Sequence, residues 1–175
     1  MLWFTADHHF GQEEARDYFL RPFQTVREMD EELITRHNKI VAPRDTVYFL
    51  GDLTLFGQWQ QSYVTETVKA LHGEKVLILG NHDHFNPLDY VKMGFQSVHT
   101  ELKIKGFVLV HDPMMCNVDT STRVLCGHVH RLFKWKRDVI NVGVDVWDYE
   151  PVSYDTILAL VNDRGKPIEQ TGFQI

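Results

Sequence analysis

Five short apolar runs along the chain end in the same way, in aspartate, asparagine or histidine. Leu2 to Ala6 leads into Asp7-His8-His9, Thr46 to Leu50 into Gly51-Asp52, and Lys75 to Leu79 into Gly80-Asn81-His82-Asp83-His84. Phe107 to Val110 leads into His111-Asp112, and Arg123 to Cys126 into Gly127-His128-Val129-His130. Runs of this length read as buried strands. The polar residues after them then sit at strand carboxyl ends, where α/β sheets present their ligands. Packing does not account for the recurrence, because Asp, Asn and His are costly to bury unless paired or bound to a metal.

Between the strands the spacing predicts helices. Gln12 to Leu20 forms a short one that Pro22 ends, and Thr25 to Val41 an amphipathic one with Met29, Leu33, His37 and Ile40 on one face. Thr25 and Glu28 have the spacing of a capping box. Gln61 to Leu71 is a third helix stopped by Gly73. Leu88 to Met93 is a fourth, with Asn86-Pro87 before it and Gly94 after it. From Phe95 the pattern turns to strands: Phe95 to Leu102, Phe107 to Val110, Val124 to Cys126, Leu132 to Lys136 and Val139 to Val146. Ser153 opens a helix over Tyr154 to Val161, and Asn162 to Gly165 turns into a last strand near Phe173. A helix-alternating half followed by a strand-rich half predicts an α/β (α+β) fold with two mixed sheets flanked by helices, a four-layer αββα sandwich.

The chain has 175 residues, 43% of them hydrophobic, the size of one domain over residues 1–175 that buries ~70% of its unfolded surface. A formal net charge of -6 argues against a broad nucleic-acid platform, although metal ions in an acidic cleft would reverse the local sign. The two cysteines, Cys116 and Cys126, are too few for a disulfide framework and read as reduced thiols. Met1-Leu2-Trp3-Phe4-Thr5 lacks the basic and long apolar parts of a signal peptide, and no run approaches the ~18 apolar residues of a membrane span. The expected location is therefore the cytoplasm, without a membrane partner.

Taken in order, Asp7-His8-His9, Gly51-Asp52, Gly80-Asn81-His82-Asp83, His111 and Gly127-His128-Val129-His130 resemble the five-motif signature of the calcineurin-like metallophosphoesterases. Asn141-Val142-Gly143 resembles the segment that closes the family's sheet, and the likeness extends to small stand-alone bacterial and phage phosphoesterases. Gln12 departs from those relatives, in which a His is frequent at this place. The resemblance implies two divalent metal ions, one held by Asp7, His9, Asp52 and His130, the other by Asp52, Asn81, His111 and His128. Carboxylate, amide and imidazole suit Mn, Fe, Zn, Ni or Co, with Mn the first expectation. A carboxylate shared in this way holds two ions ~3.5–4 Å apart.

The resemblance further implies hydrolysis of a phosphoester by a hydroxide shared between the ions, with His82 as the histidine that is not a ligand and Asp83 orienting it. Arg16, Arg21 and His84 are candidate substrate contacts, since a guanidinium suits phosphate geometry; His8 is a further one. The basic run Arg131, Lys134, Lys136 and Arg137, interleaved with Leu132, Phe133 and Trp135, reads as a hairpin with one solvated face. Short intervals between the motifs leave no room for a long specificity insertion, which favours a phosphodiester over a phosphomonoester. A small phosphoester is thus the expected substrate and nucleic acid the less favoured one. A nuclease and a non-catalytic metal-binding interaction scaffold are the alternatives.

Overall fold

In the computed structural model, which describes residues 1–54, 61–116 and 123–162, the apolar runs become strands of two five-stranded sheets. Strands β1 (Leu2–Thr5), β2 (Thr46–Leu50), β3 (Glu74–Ile78) and β4 (Phe95–His99) pair in parallel in the first sheet. The second sheet contains β5 (Leu102–Ile104), β6 (Phe107–Leu109), β7 (Arg123–Cys126), β8 (Trp135–Lys136) and β9 (Val139–Asn141), in the order β5-β6-β7-β9-β8. There β6, β7 and β9 run parallel, and the two edge strands are antiparallel to their neighbours. A short β10 (Val152–Ser153) lies antiparallel to β1 at the edge of the first sheet.

The described residues form five helices: α1 (Glu13–Tyr18), α2 (Val26–Ile40), α3 (Gln61–Ala70), α4 (Pro87–Met93) and α5 (Tyr154–Asn162). Their ends follow local chemistry. Thr25 Oγ1 accepts from Glu28 N at 3.1 Å while the Glu28 carboxylate reaches back to Gln24 N at 2.8 Å, so orphan amides at the start of α2 are satisfied. Asn86 caps Leu88 N at 3.0 Å, Pro87 occupies the first turn of α4, and Gly94 ends it at φ 126.

Strand alternation divides the core into layers. Trp3, Val47, Phe49 and Leu77 point from the first sheet toward Met29 and Leu33 of α2, Val64 and Val68 of α3, and Tyr90 and Met93 of α4. Their neighbours Phe4, Leu50, Val76 and Ile78 point the other way, against Phe107, Leu109, Leu125 and Ile140 of the second sheet and Ile157 and Val161 of α5. Val108, Val110, Val124 and Cys126 form a third cluster on the opposite face of the second sheet. Two mixed sheets with helices, as the sequence predicts, thus hold all five motif-bearing strand ends.

Several boundaries differ from expectation. The run Phe95 to Leu102 is not one strand: β4 belongs to the first sheet and β5 to the second, so the chain crosses between sheets at residues 100–101. The expected strand Val139 to Val146 stops at Asn141. Gly143 N donates to Asn141 Oδ1 at 2.8 Å and Gly143 bridges to Ala6, which turns the backbone into a 3-10 turn at Val144–Val146. Leu132 to Lys136 contracts to Trp135–Lys136, and Val152–Ser153 is an edge strand as well as the lead into α5. The expected last strand near Phe173 lies outside the described residues. No helix among the described residues is long and apolar enough to cross a membrane.

Candidate metal centre

The polar residues after β1, β2, β3, β6 and β7 converge. Ligand atoms of Asp7, His9 and His130 lie within 4.8 Å of one another, as do those of Asp52, His111 and His128. The groups touch, since His9 Nε2 is 3.7 Å from Asp52 Oδ2 and His111 Nε2 is 3.3 Å from that same oxygen. Asn81 joins the second group, its Oδ1 lying 3.0 Å from His111 Nε2 and 2.9 Å from His128 Nδ1. Asp7, His9, Asp52 and His111 are buried, whereas Asn81 and His128 are exposed.

The backbone is strained where the donors sit. Asp7, His9, Asp52, His128 and His130 have φ between 43 and 69, a region that non-glycine residues seldom enter. Such strain clusters at sites where the surroundings over-determine it. Short peptide units must also pass close to the carboxylates: a Cβ at Gly80 would collide with Asp52 Oδ1, and one at Gly127 would come to 2.6 Å of the Ala6 Cβ and 2.9 Å of Asp7 Oδ2. With Gly51, where a Cβ would come to 2.6 Å of the Gly80 Cα, these close approaches explain why glycine precedes three of the motifs.

Hydrogen bonds fix which ring nitrogens face inward. The Leu50 carbonyl can only accept, so His111 Nδ1 at 2.8 Å donates to it and Nε2 is the nitrogen left facing the centre. His130 Nδ1 donates to Asp145 Oδ2 at 2.8 Å and His9 Nδ1 to Gln12 Oε1 at 2.7 Å. Metal-bound histidines are held in this manner through their second nitrogen. His9 Nε2 is buried without a hydrogen-bond partner, an orphan that a cation at the first group would satisfy. The donor set therefore fits two divalent ions.

Electrostatics point the same way. Burial pushes the Asp7 carboxyl up to about 6, although His130 and His111 pull it down. Burial also raises Asp52, but the hydrogen bond and charge of His111 outweigh it and hold the group at about 2. His111 moves up to about 9, with burial opposing and Asp52 and Asp7 winning, while burial drives His9 down to about 3. Two buried carboxylates call for positive charge, which the raised His111 imidazolium answers in part and a bound cation would answer in its stead.

His82 is half-buried at the edge of the centre. Its ring Nε2 is 4.0 Å from Asp52 Oδ2, its ring meets that of His9 edge-on at 5.5 Å, and its backbone N donates to Asp52 Oδ1 at 2.9 Å. Asp83 does not orient it, contrary to expectation. Its carboxylate is buried and turned the other way, accepting from Asp52 N at 2.9 Å, Gly80 N at 2.8 Å and Leu53 N at 3.1 Å, so it clamps the two loops together. Burial raises its pKa to about 6 against those bonds.

The expected substrate contacts are also corrected. Arg21 is buried, and its guanidinium reaches Asp145, the carbonyls of Asp7 and His8, and Met29 Sδ, leaving no hydrogen for a phosphate. Arg16 is tied to Asp17, Glu13 and the Gln24 carbonyl. His8 is buried, stacked on Phe10 at 5.1 Å with Nε2 on Thr5 Oγ1. His84 is exposed. In the basic run, Arg131 Nη1 reaches the carbonyls of Phe19 and Leu20, and Lys134 Nζ lies 3.7 Å over the Trp147 ring. Sequence reading missed Asp145, whose only signal was its place just beyond Asn141-Val142-Gly143. It also missed Phe19, which stacks on His130 at 3.4 Å between centroids.

Comparison with known proteins bears on family and fold. The chain is 34% identical to an uncharacterized protein of Methanocaldococcus jannaschii over 95% of its own length and 94% of the relative's. It is 29% identical to the gene 66 protein of Mycobacterium phage L5 over 91% of its length and 93% of the relative's. A crystal structure of a protein of unknown function from Aquifex aeolicus superposes with a TM-score of 0.69 at 25% identity, covering 91% of this chain and 98% of the other. The Pseudomonas putida nuclease MPE shares the fold at a TM-score of 0.52 and 24% identity, over 75% of this chain and 62% of the other. The model of the calcineurin-like phosphoesterase family matches residues 1–149, a span that holds every strand end of the centre. With its signature residues gathered at one place in the fold, the chain belongs to the calcineurin-like phosphoesterases.

Proposed function

We infer that the chain is a dinuclear metal-dependent phosphodiesterase. The observation that carries this is the contact between the two donor groups at Asp52, whose Oδ2 lies 3.7 Å from His9 Nε2 and 3.3 Å from His111 Nε2. In this reading Asp7, His9 and His130 hold one divalent ion, Asn81, His111 and His128 hold the other, and Asp52 serves both. When bound, such ions supply a strongly nucleophilic water near neutral pH and neutralise phosphate charge. The chain's own residues do the rest. Asn81 faces the phosphate as well as an ion. His82, near the cluster yet outside both groups, gives a proton to the leaving oxygen or a hydrogen bond to the phosphate, and His84 lies further out as a substrate contact.

Exposure of Asn81 and His128 supports an open cleft that admits a substituted phosphate, which favours a diester. Nuclease action is the second reading. Exposed Tyr18 and Leu20 flank Phe19 beside His130, and aromatic side chains next to a phosphoester site can stack bases. Against it stand the net charge of -6 and the inward engagement of Arg131 and Lys134. A metal-binding scaffold without turnover would not require His82 beside the ligands. The test is hydrolysis of bis-p-nitrophenyl phosphate and p-nitrophenyl phosphate across Mn, Fe, Zn, Ni and Co. Metal-dependent turnover, faster on the diester and highest with Mn, is expected; no turnover of either by protein carrying two ions would overturn the reading.

A further inference from the structure

Arg21, on the loop after α1, and Asp145, in the 3-10 turn after β9, meet as a pair whose side chains are both fully buried. Nε and Nη2 of Arg21 grip the two carboxylate oxygens at 2.9 and 3.0 Å, a bidentate fork. The outer arms go to backbone, Nη2 to the Asp7 carbonyl at 2.6 Å and Nη1 to the His8 carbonyl at 2.7 Å. Asp145 Oδ2, fixed by that fork, also accepts from His130 Nδ1 at 2.8 Å. A buried charge pair of this kind costs desolvation and is weak evidence for stability as such. What it contacts is telling: the two peptide units between Asp7 and His9, both held at positive φ, and the ring of His130.

Those are the three residues of the first donor group. None of the pair's hydrogen bonds reaches Asp52, Asn81, His111 or His128 among the described residues. The second group is held differently, its His111 by the neutral Leu50 carbonyl. We propose that Arg21 and Asp145 are positioning residues that set the ion position at Asp7, His9 and His130 and leave the position at Asn81, His111 and His128 largely independent of them. The inference rests on the two-ion reading above.

The test is Mn2+ binding to the full chain by equilibrium dialysis, with circular dichroism and melting temperature recorded on the same samples. Asp145→Asn should weaken one of two equivalents ~10–100-fold, the usual effect of losing a partner behind a metal ligand, while the other changes little. Adding Asn81→Ala to that variant should then strip the ion that remains. Arg21→Lys keeps the charge but lacks the fork, and should weaken the same single equivalent by a smaller factor. Equal weakening of both equivalents, unchanged binding in both variants, or failure of both variants to fold even with Mn2+ would overturn the proposal, the last by making the pair a folding element only. A wild-type chain that binds fewer than two ions would instead defeat the two-ion reading.

Discussion

At the scale of single residues, His82 separates an enzyme from a metal-binding scaffold. It approaches Asp52 only to 4.0 Å and belongs to neither donor group, so His82→Ala should fold and keep near two ions. Turnover of a diester with a poor leaving group should fall ~10²–10⁴-fold, as general-acid loss does. A nitrophenolate leaves with little protonation, so its smaller loss would identify an acid, whereas equal losses would identify stabilisation of phosphorane charge. Wild-type rates on both substrates would remove His82 from the chemistry. Gly80→Ala puts a methyl group against Asp52 Oδ1 and should destabilise the chain by ~1–3 kcal/mol, read from a denaturant melt; an unchanged midpoint would mean that the loop yields freely. Much of the candidate centre was legible at this scale, because Asp, Asn and His recurring at strand ends are residue types able to ligate a metal. Arg21 and Asp83 were misread since a charged side chain near a motif looks alike in sequence whether it faces substrate or braces a loop. Only the partners, Asp145 and the amides of Gly80 and Asp52, decide.

At the scale of elements, α2 shows how a polar residue on an apolar face shapes stability. His37 lies on the face that packs on β2, its ring stacked on Phe49 at 5.9 Å, with Nε2 donating to the His72 carbonyl and Nδ1 buried without a partner. Burial lowers its pKa from 6.5 to about 4, against the pull of the His72 carbonyl. The unfolded chain therefore binds a proton before the folded chain does, and this residue's contribution to stability is lost as pH falls from 6.5 toward 4. His37→Gln should flatten that limb of a stability–pH curve measured by urea melts; an unaltered slope would show that His37 does not titrate on unfolding. Helices α2 and α4 were legible from their caps. The break between β4 and β5 was not, because residues 95–102 keep an apolar, strand-forming pattern while the chain changes sheets, and the pairing that distinguishes the sheets is long-range. The early end of β9 likewise depends on Asn141 and Ala6, which are distant in sequence.

For the whole molecule, two sheets aim five strand ends at one point, and the charge gathered there exceeds what the surrounding chain neutralises. Asp7 and Asp52 are buried, and the buried guanidinium of Arg21 goes to Asp145 and to the Asp7 carbonyl rather than to either carboxylate. The topology was legible as far as strand ends and alternation reach, and the family resemblance assembled the rest. The pairing of α5 with the core between the sheets, through Ile157 and Val161, needed the structure. The account turns on Asp52 serving both ions, and elemental analysis of dialysed wild-type and Asp52→Asn protein tests it most directly. The wild type should retain near two equivalents of divalent metal, and Asp52→Asn well below two, with both positions weakened together. Two ions held by Asp52→Asn with wild-type affinity would contradict the account.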